Sequence, residues 1–155
     1  MPNHKTFEIQ PIKELLEQEE TGLPGDIIDP FPYPFKQDAI EYLKSIPNES
    51  VYKVRFDPPY SQRQLREMYD SLGLSLEMNN GYWAKCRKEI ARICKPGAKV
   101  ISFGWNSNGI GLQYGFDITR IRLIAHGSQH NDTICIVEVK KQSSLSAYQC
   151  SEKSA

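Results

Sequence analysis

Strand-like and helix-like segments alternate along most of the chain, and this alternation constrains the fold more than any other feature. The strand-like segments are GDIIDP, Val51–Phe56 and AKVISFGW, and the helix-like segments lie at about 37–45, 61–72 and 81–94. Strands that are joined through helices pair in parallel, because each crossover returns the chain to the same end of the sheet. The sequence therefore predicts an α/β fold with a mostly parallel sheet and helices on both faces.

Patterns at the two ends of the chain complete this architecture. Ile12, Leu15 and Leu16 follow Pro11 at helical spacing and predict a helix over about 11–20. Two strand patterns, at about 118–125 and 133–139, flank a turn rich in Gly, Ser, Asn and Asp and predict an antiparallel C-terminal hairpin. The residues after 141 are polar and aperiodic, so we expect one domain over 1–141 and a flexible tail over 142–155.

Composition is that of an ordinary soluble protein. The chain is 39% apolar and 25% charged, and it has neither an apolar run of about 20 residues nor a basic and apolar leader. We therefore expect a cytoplasmic protein without a membrane partner.

The cysteines and histidines do not predict a metal site. The four cysteines form no CxxC pair. His126 and His130 could meet across a turn, but their spacing matches no familiar zinc site, so no metal is predicted.

Positive charge is concentrated in the middle of the chain. Residues 51–100 contain ten Lys and Arg against five Asp and Glu, whereas residues 1–50 contain four against ten. A surface of this sign can face a polyanion, although Lys and Arg on outer helix faces also serve simply to solvate them. The candidate residues are Arg63, Arg66, Lys85, Arg87, Lys88, Arg92 and Lys95.

Three of the predicted strands end in unusual residues. These ends are Asp29-Pro30-Phe31, Asp57-Pro58-Pro59-Tyr60 and Gly104-Trp105-Asn106. Ligands of open α/β sheets bind at the carboxyl ends of the strands. We therefore expect the three ends to converge on one cleft.

The second of these ends is suited to holding an amino group. Proline has no N–H, so the carbonyls before and between Pro58 and Pro59 stay available as acceptors, and the Asp57 carboxylate adds further acceptor oxygens. A planar amine that donates both hydrogens here has its lone pair localised for attack on an electrophile, while Tyr60 offers a ring on which a base can stack. The alternative is an ordinary turn in which Asp57 caps the following helix.

A resemblance to a known family rests on this motif and on the segments around it. The further segments are FEIQPIKELL, IDPF, DAIEYLKSIPNES, CKPGAKVISFGWNSNGIG and HNDTICIVEVK. Together they resemble the small adenine-specific DNA methyltransferase-like proteins of phages and mobile elements, over most of residues 6–140. The resemblance implies a Rossmann-like methyltransferase fold, S-adenosyl-L-methionine as cofactor, and DNA as substrate, with RNA as an alternative.

The resemblance also implies roles for individual residues. Asp57, Pro58, Pro59 and Tyr60 would form the catalytic site, holding a base flipped from its helix or presented in a single strand. The residues implied for the cofactor are Pro11, Ile12, Asp29, Pro30, Phe31, Asp38, Ala39 and Phe56. The residues expected to contact nucleic acid are Arg63, Arg66, Lys85, Lys88, Trp105 and Asn106.

The chain departs from the family pattern after the first strand. Methyltransferases of this fold usually continue with a Gly-rich turn, a helix and a second strand whose final acid binds the cofactor ribose. Only residues 32–37 separate Phe31 from Asp38, and even fully extended they span about 20 Å. One βα unit is therefore expected to be missing.

This departure leaves two functions open. The first is an S-adenosylmethionine-dependent methyltransferase that modifies adenine N6 in DNA, with cytosine N4, RNA or a protein amide as alternative targets. The second is a degenerate methyltransferase-like protein that binds nucleic acid without catalysis. A homodimer formed through the exposed sheet edge could compensate for the missing unit.

Overall fold

The computed structural model describes residues 5–75, 81–127 and 131–142, which form four α-helices and a five-stranded sheet. In chain order the regular elements are α1 (Gln10–Glu20), β1 (Ile27–Ile28), α2 (Ala39–Ser45), β2 (Val51–Phe56), α3 (Gln62–Ser71), α4 (Tyr82–Ile93), β3 (Cys94–Gly104), β4 (Phe116–Ile124) and β5 (Thr133–Lys140). Short 3₁₀ turns cover Thr6–Glu8 and Leu112–Tyr114. His130 and all but the first residue of the expected tail lie outside the described residues.

The strand order in the sheet is β1-β2-β3-β5-β4. The first three strands are mutually parallel, and β5 is antiparallel to both of its neighbours, so β4 runs in the same direction as β3. An open, mostly parallel sheet with helices on both faces is a Rossmann-like arrangement. The predicted α/β fold with an antiparallel C-terminal hairpin is confirmed.

Each face of the sheet has its own apolar core. On one face, α2, α3 and α4 pack through side chains such as Leu43, Leu65 and Ile90. On the other face, α1 packs Ile12 and Leu15 against β3, β4 and β5, and Phe7 of the preceding 3₁₀ turn joins this core. The predicted covering of both faces is confirmed, and the two cores hold the carboxyl ends of β1, β2 and β3 in fixed positions.

The region between β1 and β2 is shorter than in the family pattern. Residues 29–50, all of them described, contain α2 and no strand. The expected absence of a second βα unit is therefore confirmed. As a result, β1 is a two-residue strand at the edge of the sheet and pairs only with β2.

Two local features differ in detail from the sequence patterns. The spacing of Ser61 and Gln64 predicts a capping box at the start of α3, in which each side chain accepts a hydrogen bond from the N–H of the other residue. The Ser61 Oγ does accept from the Gln64 N–H, at 3.2 Å, but the Gln64 side chain accepts from the N–H of Tyr60 and not from that of Ser61. This bond ties Tyr60 to the start of α3. Strand β3 begins at Cys94, before the expected start at 98, because Cys94 pairs with Val51 ahead of an irregularity in the ladder.

Within the described ranges, no helix has the length and apolar character needed to cross a membrane. The same residues contain no cluster of three or more His, Cys, Asp or Glu side chains placed to hold a metal ion.

Candidate functional site

A cleft of about 260 Å³ opens at the carboxyl ends of β2 and β3. Its floor is a row of side chains on three neighbouring strands, because Ser102 of β3 pairs with Phe56 of β2 on one side and with Ile136 of β5 on the other. One wall comes from α4, which contributes Trp83 and Arg87. These two lie four residues apart and so share a helix face.

The rim of the cleft consists of two predicted strand ends. Pro58, Pro59 and Tyr60 follow β2, and Trp105 and Asn106 follow β3. The expectation that these two ends meet in one cleft is confirmed. The expectation is wrong for the third end, since none of the residues Asp29, Pro30 and Phe31 lines this cleft. Asp29 is nevertheless close enough for its negative charge to contribute to the raised pKa of Asp57.

Asp57 lies directly behind this rim and is almost fully buried, with 1% of its surface exposed. Its carboxylate accepts a hydrogen bond from the Tyr60 hydroxyl at 3.3 Å and forms no ion pair with any described residue. Burial, together with the nearby negative charge of Asp29, raises the pKa of the Asp57 carboxyl to about 7, although hydrogen bonds from Tyr60 and Thr6 oppose the rise. The group is therefore poised between its neutral and charged forms near neutral pH.

Asp29 is the second acid at this edge of the sheet. Its Oδ1 accepts a hydrogen bond from the Phe31 N–H at 3.0 Å. Burial raises the pKa of the Asp29 carboxyl to about 6, while that hydrogen bond and the positive charge of Arg55 oppose the rise. The ends of β1 and β2 thus carry a pair of carboxyl groups, each with a raised pKa.

Tyr60 is already in contact with a second aromatic ring. The centroids of Tyr60 and Trp105 are 4.7 Å apart, and their planes are inclined by 37°. Trp105 is half exposed. One face of the ring predicted to stack on a base is therefore covered by Trp105, which must move if a base is to occupy that face.

Sequence reasoning missed two polar groups of the cleft. Within the described part of the chain, the Nε of Arg87 and the Oγ of Ser102 are buried without a hydrogen-bond partner. By its charge Arg87 was a candidate only for the basic surface, and Ser102 was not among the candidate site residues. Two signals could have found them, namely the four-residue spacing from Trp83 to Arg87 and the one hydroxyl inside the apolar run VISF.

Glu138 is a third group that sequence reasoning missed. It is fully buried, and its carboxylate accepts hydrogen bonds from the N–H groups of Ile110 and Gly111, at 2.7 and 2.9 Å. Burial raises the pKa of Glu138, while these two N–H groups and the charge of Arg87 oppose the rise. The loop that carries Trp105 is thereby attached to β5 at its far end.

The residues implied for the cofactor fall into two groups. Asp29, Pro30, Phe31 and Phe56 lie together at the ends of β1 and β2, where the ring centroids of Phe31 and Phe56 are 6.1 Å apart. Phe31 is buried and also borders a separate apolar pocket of about 430 Å³ between residues 31–35 and α3.

Of the eight implied residues, Phe56 alone lines the cleft, and the remaining four have other surroundings. Ile12 is fully buried in the core beneath α1, on the opposite face of the sheet, and the adjacent Pro11 uses its carbonyl to accept a hydrogen bond from Arg122. Asp38 caps α2, since its Oδ1 accepts from the Glu41 N–H at 2.9 Å. Ala39 is fully buried.

The basic residues expected to contact nucleic acid lie on two helices. Lys85 and Lys88 are exposed on α4, whereas Arg63 and Arg66 border a shallow groove on α3 that also contains two acids. Arg92 is turned inward, and its guanidinium donates to the carbonyls of Leu43 and Ile46.

Comparison with known sequences gave no match, either to protein-family models or to curated proteins. Comparison with solved structures found methyltransferases. One is TTHA0409 of Thermus thermophilus, a candidate DNA modification methylase, with 19% identity and a TM-score of 0.46 over 69% of this chain and 53% of that chain.

The same Thermus protein is also matched in a complex with S-adenosyl-L-methionine, with 17% identity and a TM-score of 0.46 over 68% of this chain and 52% of that chain. A candidate methyltransferase of Escherichia coli, yhhF, has 10% identity and a TM-score of 0.41 over 86% of this chain and 57% of that chain. The present chain therefore spans about half the length of these structures.

Proposed function

We propose that the chain is an S-adenosylmethionine-dependent methyltransferase that acts on the exocyclic amine of a nucleic-acid base, with adenine N6 in DNA as the favoured target. One observation carries the proposal. Pro58, Pro59 and Tyr60, which follow Asp57 at the carboxyl end of an interior parallel strand, border a cleft lined by aromatic rings, and the buried Asp57 carboxylate lies behind them, within hydrogen-bonding distance of the Tyr60 hydroxyl. Adenine is favoured by the resemblance of the segments around this motif.

The chemistry required of the site is modest. The amine nitrogen of the base attacks the methyl carbon of the donor, the carbon–sulfur bond breaks, and its electron pair remains on sulfur as a neutral thioether. Asp57 in its charged form, with the adjoining carbonyls, accepts the amine hydrogens and makes the lone pair available. The alkylated nitrogen then loses one proton, for which the Asp57 carboxylate is the nearest acceptor. Positioning and electrostatics supply the rate enhancement.

The ends of β1 and β2 are the proposed location for the methyl donor. A sulfonium donor of this type carries an ammonium group, and the buried carboxyl of Asp29 is suited to bind it. Phe56 is the last residue of β2. It lines the cleft, and its ring is near that of Phe31, which follows Asp29 by two residues. Four implied residues are assigned no part in donor binding here. Ile12 and Ala39 are fully buried, Asp38 caps α2, and the exposed Pro11 adjoins Ile12 on the opposite face of the sheet from the cleft.

Methyl transfer from labelled S-adenosylmethionine to single-stranded and duplex DNA, to RNA and to a protein substrate tests the proposal. We expect incorporation into adenine of DNA, and we expect Asp57→Ala to lower kcat/KM by about 100-fold or more, because it removes a charged acceptor from the reacting amine. Asp26→Asn is the matched control, since Asp26 is an exposed acid that precedes β1. Full activity of the Asp57 variant would refute the proposed role.

A second function is favoured by one observation, the absence of the additional strand expected between β1 and β2. In methyltransferases of this fold, the acid at the end of that strand binds the ribose of the donor. Without it, a protein with the same cleft could bind nucleic acid and have no catalytic activity. Calorimetry with S-adenosylmethionine and S-adenosylhomocysteine separates the two functions. No heat of binding at millimolar ligand, together with retained binding of an oligonucleotide, would establish the second.

Association into a homodimer stays a prediction. Strand β4 lies at the edge of the sheet and pairs only with β5, and Ile118, Ile121 and Leu123 on it are exposed. An edge of this length with apolar side chains is where strand pairing between copies would occur. Sedimentation at increasing protein concentration tests this, and a monomer throughout would argue against it.

A further inference from the structure

The cleft contains two hydrogen-bonding groups that the fold itself does not use, one on its floor and one on the wall formed by α4. The Arg87 Nε and the Ser102 Oγ are buried and lack a partner among the described residues. Ser102 is 7% exposed and is surrounded by apolar neighbours on its own sheet. Buried polar groups are almost always hydrogen-bonded, because leaving one unpaired is costly, so two such groups in one cleft indicate a ligand that completes them.

Arg87 is not explained as a structural cation. Its charge lies near that of Glu138, whose carboxylate oxygens accept hydrogen bonds from the N–H groups of Ile110 and Gly111. The Nε of Arg87 nevertheless has no hydrogen-bond partner among the described residues, and Arg87 lines the cleft. By contrast, Arg92 on the same helix has a carbonyl or carboxylate partner for three of its nitrogens.

The register of the sheet places these donors relative to the proposed amine site. Ser102 pairs with Phe56, which precedes Asp57 by one residue. Pro58 and Pro59 therefore stand at the rim, with the Asp57 carboxylate behind them, and Ser102 stands about one residue or more deeper along the strands, roughly 3.3 Å per residue. A ring whose amine lies at the rim would direct a neighbouring ring atom toward the floor.

We propose that Arg87 and Ser102 determine the base specificity of the cleft by donating hydrogen bonds to the unprotonated ring nitrogen next to the amino-bearing carbon. This inference rests on the proposed function for the placement of the amine. Adenine N1 and cytosine N3 are acceptors at that position. Thymine has no amino group and carries an N–H at its N3. Guanine has an acceptor, N3, on one side of its amino-bearing carbon and an N–H, N1, on the other, so it is rejected in the orientation that turns N1 toward the guanidinium. The rim therefore selects an amine, and Arg87 and Ser102 select the acceptor beside it.

Binding can be followed without any methyl transfer. The two tryptophans of the chain, Trp83 and Trp105, both line the cleft, so intrinsic fluorescence reports the entry of a base. The probes are short oligo(dT) strands with one central adenine, 1-deazaadenine or 7-deazaadenine. We expect the 1-deaza strand, which lacks the acceptor, to bind about 10-fold or more weakly than adenine, and the 7-deaza strand to bind like adenine.

The variants identify the donors. For each variant the measured quantity is the ratio of the Kd of the 1-deazaadenine strand to the Kd of the adenine strand. This ratio should fall by about 10-fold in Arg87→Met and by about 3-fold in Ser102→Ala. Ser102→Ala should also leave the melting temperature unchanged or raise it, because it removes a buried unpaired hydroxyl. Arg87→Lys is the folding control, because it keeps a positive charge near Glu138. This variant should remain folded but should no longer discriminate between adenine and 1-deazaadenine. Lys88→Met, on the exposed side of α4, should weaken all strands equally.

Equal binding of the three strands by the unaltered protein, or the absence of any fluorescence response, would overturn the inference. Equal weakening of all strands by Arg87→Met would also overturn it, because it would assign Arg87 to the phosphate backbone. Failure of the proposed function gives a different result. If the protein discriminates among the strands but transfers no methyl group, the inference about base specificity stands and the proposed catalytic role is wrong.

Discussion

At the scale of single residues, Asp57 dominates the electrostatics of the strand ends. Its carboxyl is enclosed by Asp29, Tyr60 and Thr6, and it also lies near the thiol of Cys135. Burial and the second acid both favour the neutral form. A catalyst that needs the charged form here would therefore be more active above neutral pH than below it.

The same raised pKa predicts a loss of stability with rising pH. The pKa of the Asp57 carboxyl is about 7 in the folded protein and 3.8 ordinarily, so the folded state binds the proton more tightly. The resulting stabilisation is complete below about pH 4 and is lost as the pH rises through 7. Asp57→Asn should therefore increase the free energy of unfolding at pH 8 by on the order of 3 kcal/mol, and little at pH 4. Urea unfolding at the two pH values measures this difference, and an equal effect at both would contradict it.

Tyr60 should modulate this titration. Its hydroxyl donates to Asp57 and so stabilises the charged carboxylate. Tyr60→Phe removes that bond and should raise the pKa of Asp57 further, by up to about 1 unit, because one hydrogen bond is worth roughly 0.5–1.5 kcal/mol. A ¹³C titration of the side-chain carboxyls gives the value directly. The reference variant is Tyr33→Phe, on an exposed ring outside the cleft, and a downward shift in Tyr60→Phe would contradict the assigned bond.

At the scale of elements, the loop after β3 is held by its attachment to β5. A Cβ at Gly109 would meet the Glu138 carboxylate, and φ there is +57°. Glu138 cannot yield without breaking its bonds to Ile110 and Gly111. The position is therefore restricted to glycine by the carboxylate as well as by the backbone.

Gly109→Ala should consequently destabilise the protein more than backbone strain alone does. Gly97 supplies the control, because its φ is +85° and no atom lies within 4 Å of the position that a Cβ would take there. We expect Gly97→Ala to cost about 1 kcal/mol and Gly109→Ala about 1–3 kcal/mol more. Thermal unfolding of both variants provides the comparison. Equal costs would show that the Glu138 carboxylate adjusts freely and does not hold the loop.

At the scale of the whole molecule, α1 is joined to the sheet by ion pairs as well as by its apolar face. Arg55 of β2 binds Glu20 through two hydrogen bonds, of 2.7 and 2.6 Å. The two side chains are only 22% and 13% exposed. The positive charge of Arg55 also opposes the rise in the pKa of Asp29. The residue that binds α1 to the sheet therefore also affects the charge of an acid at the strand ends.

Glu20→Gln should therefore reduce the free energy of unfolding by about 1–2 kcal/mol, because it leaves a half-buried guanidinium short of its partner. Glu41→Gln is the control, since the Glu41–Lys44 pair is 69% and 55% exposed and should contribute no more than about 0.5 kcal/mol. Chemical denaturation of the two variants measures both values. A cost for Glu20→Gln as small as that of the control would mean that the apolar face alone attaches α1.

Much of the fold was predictable because its signals are local. Apolar spacing located the helices and strands, Ser61 marked the start of α3, and the short interval between Phe31 and Asp38 showed that a strand was missing. Polar side chains that point into the protein were not predictable in this way. Charged residues such as Arg92 and Glu138 are usually exposed, and the carbonyl and N–H groups that bind these two are distant in the sequence. No local pattern therefore indicated that they are turned inward.

By itself, the sequence determined the alternation of elements, the parallel order of the first strands, and the acid, prolines and tyrosine that end β2, since each depends on neighbours along the chain. Only the tertiary structure decided which side chains share the cleft. Insertion of β5 beside β3 brings Ile136 next to Ser102, and packing of α4 brings Arg87 over them. The physical reason is that burial and charge at a site are sums over residues that are far apart in the chain and meet only when the sheet is assembled.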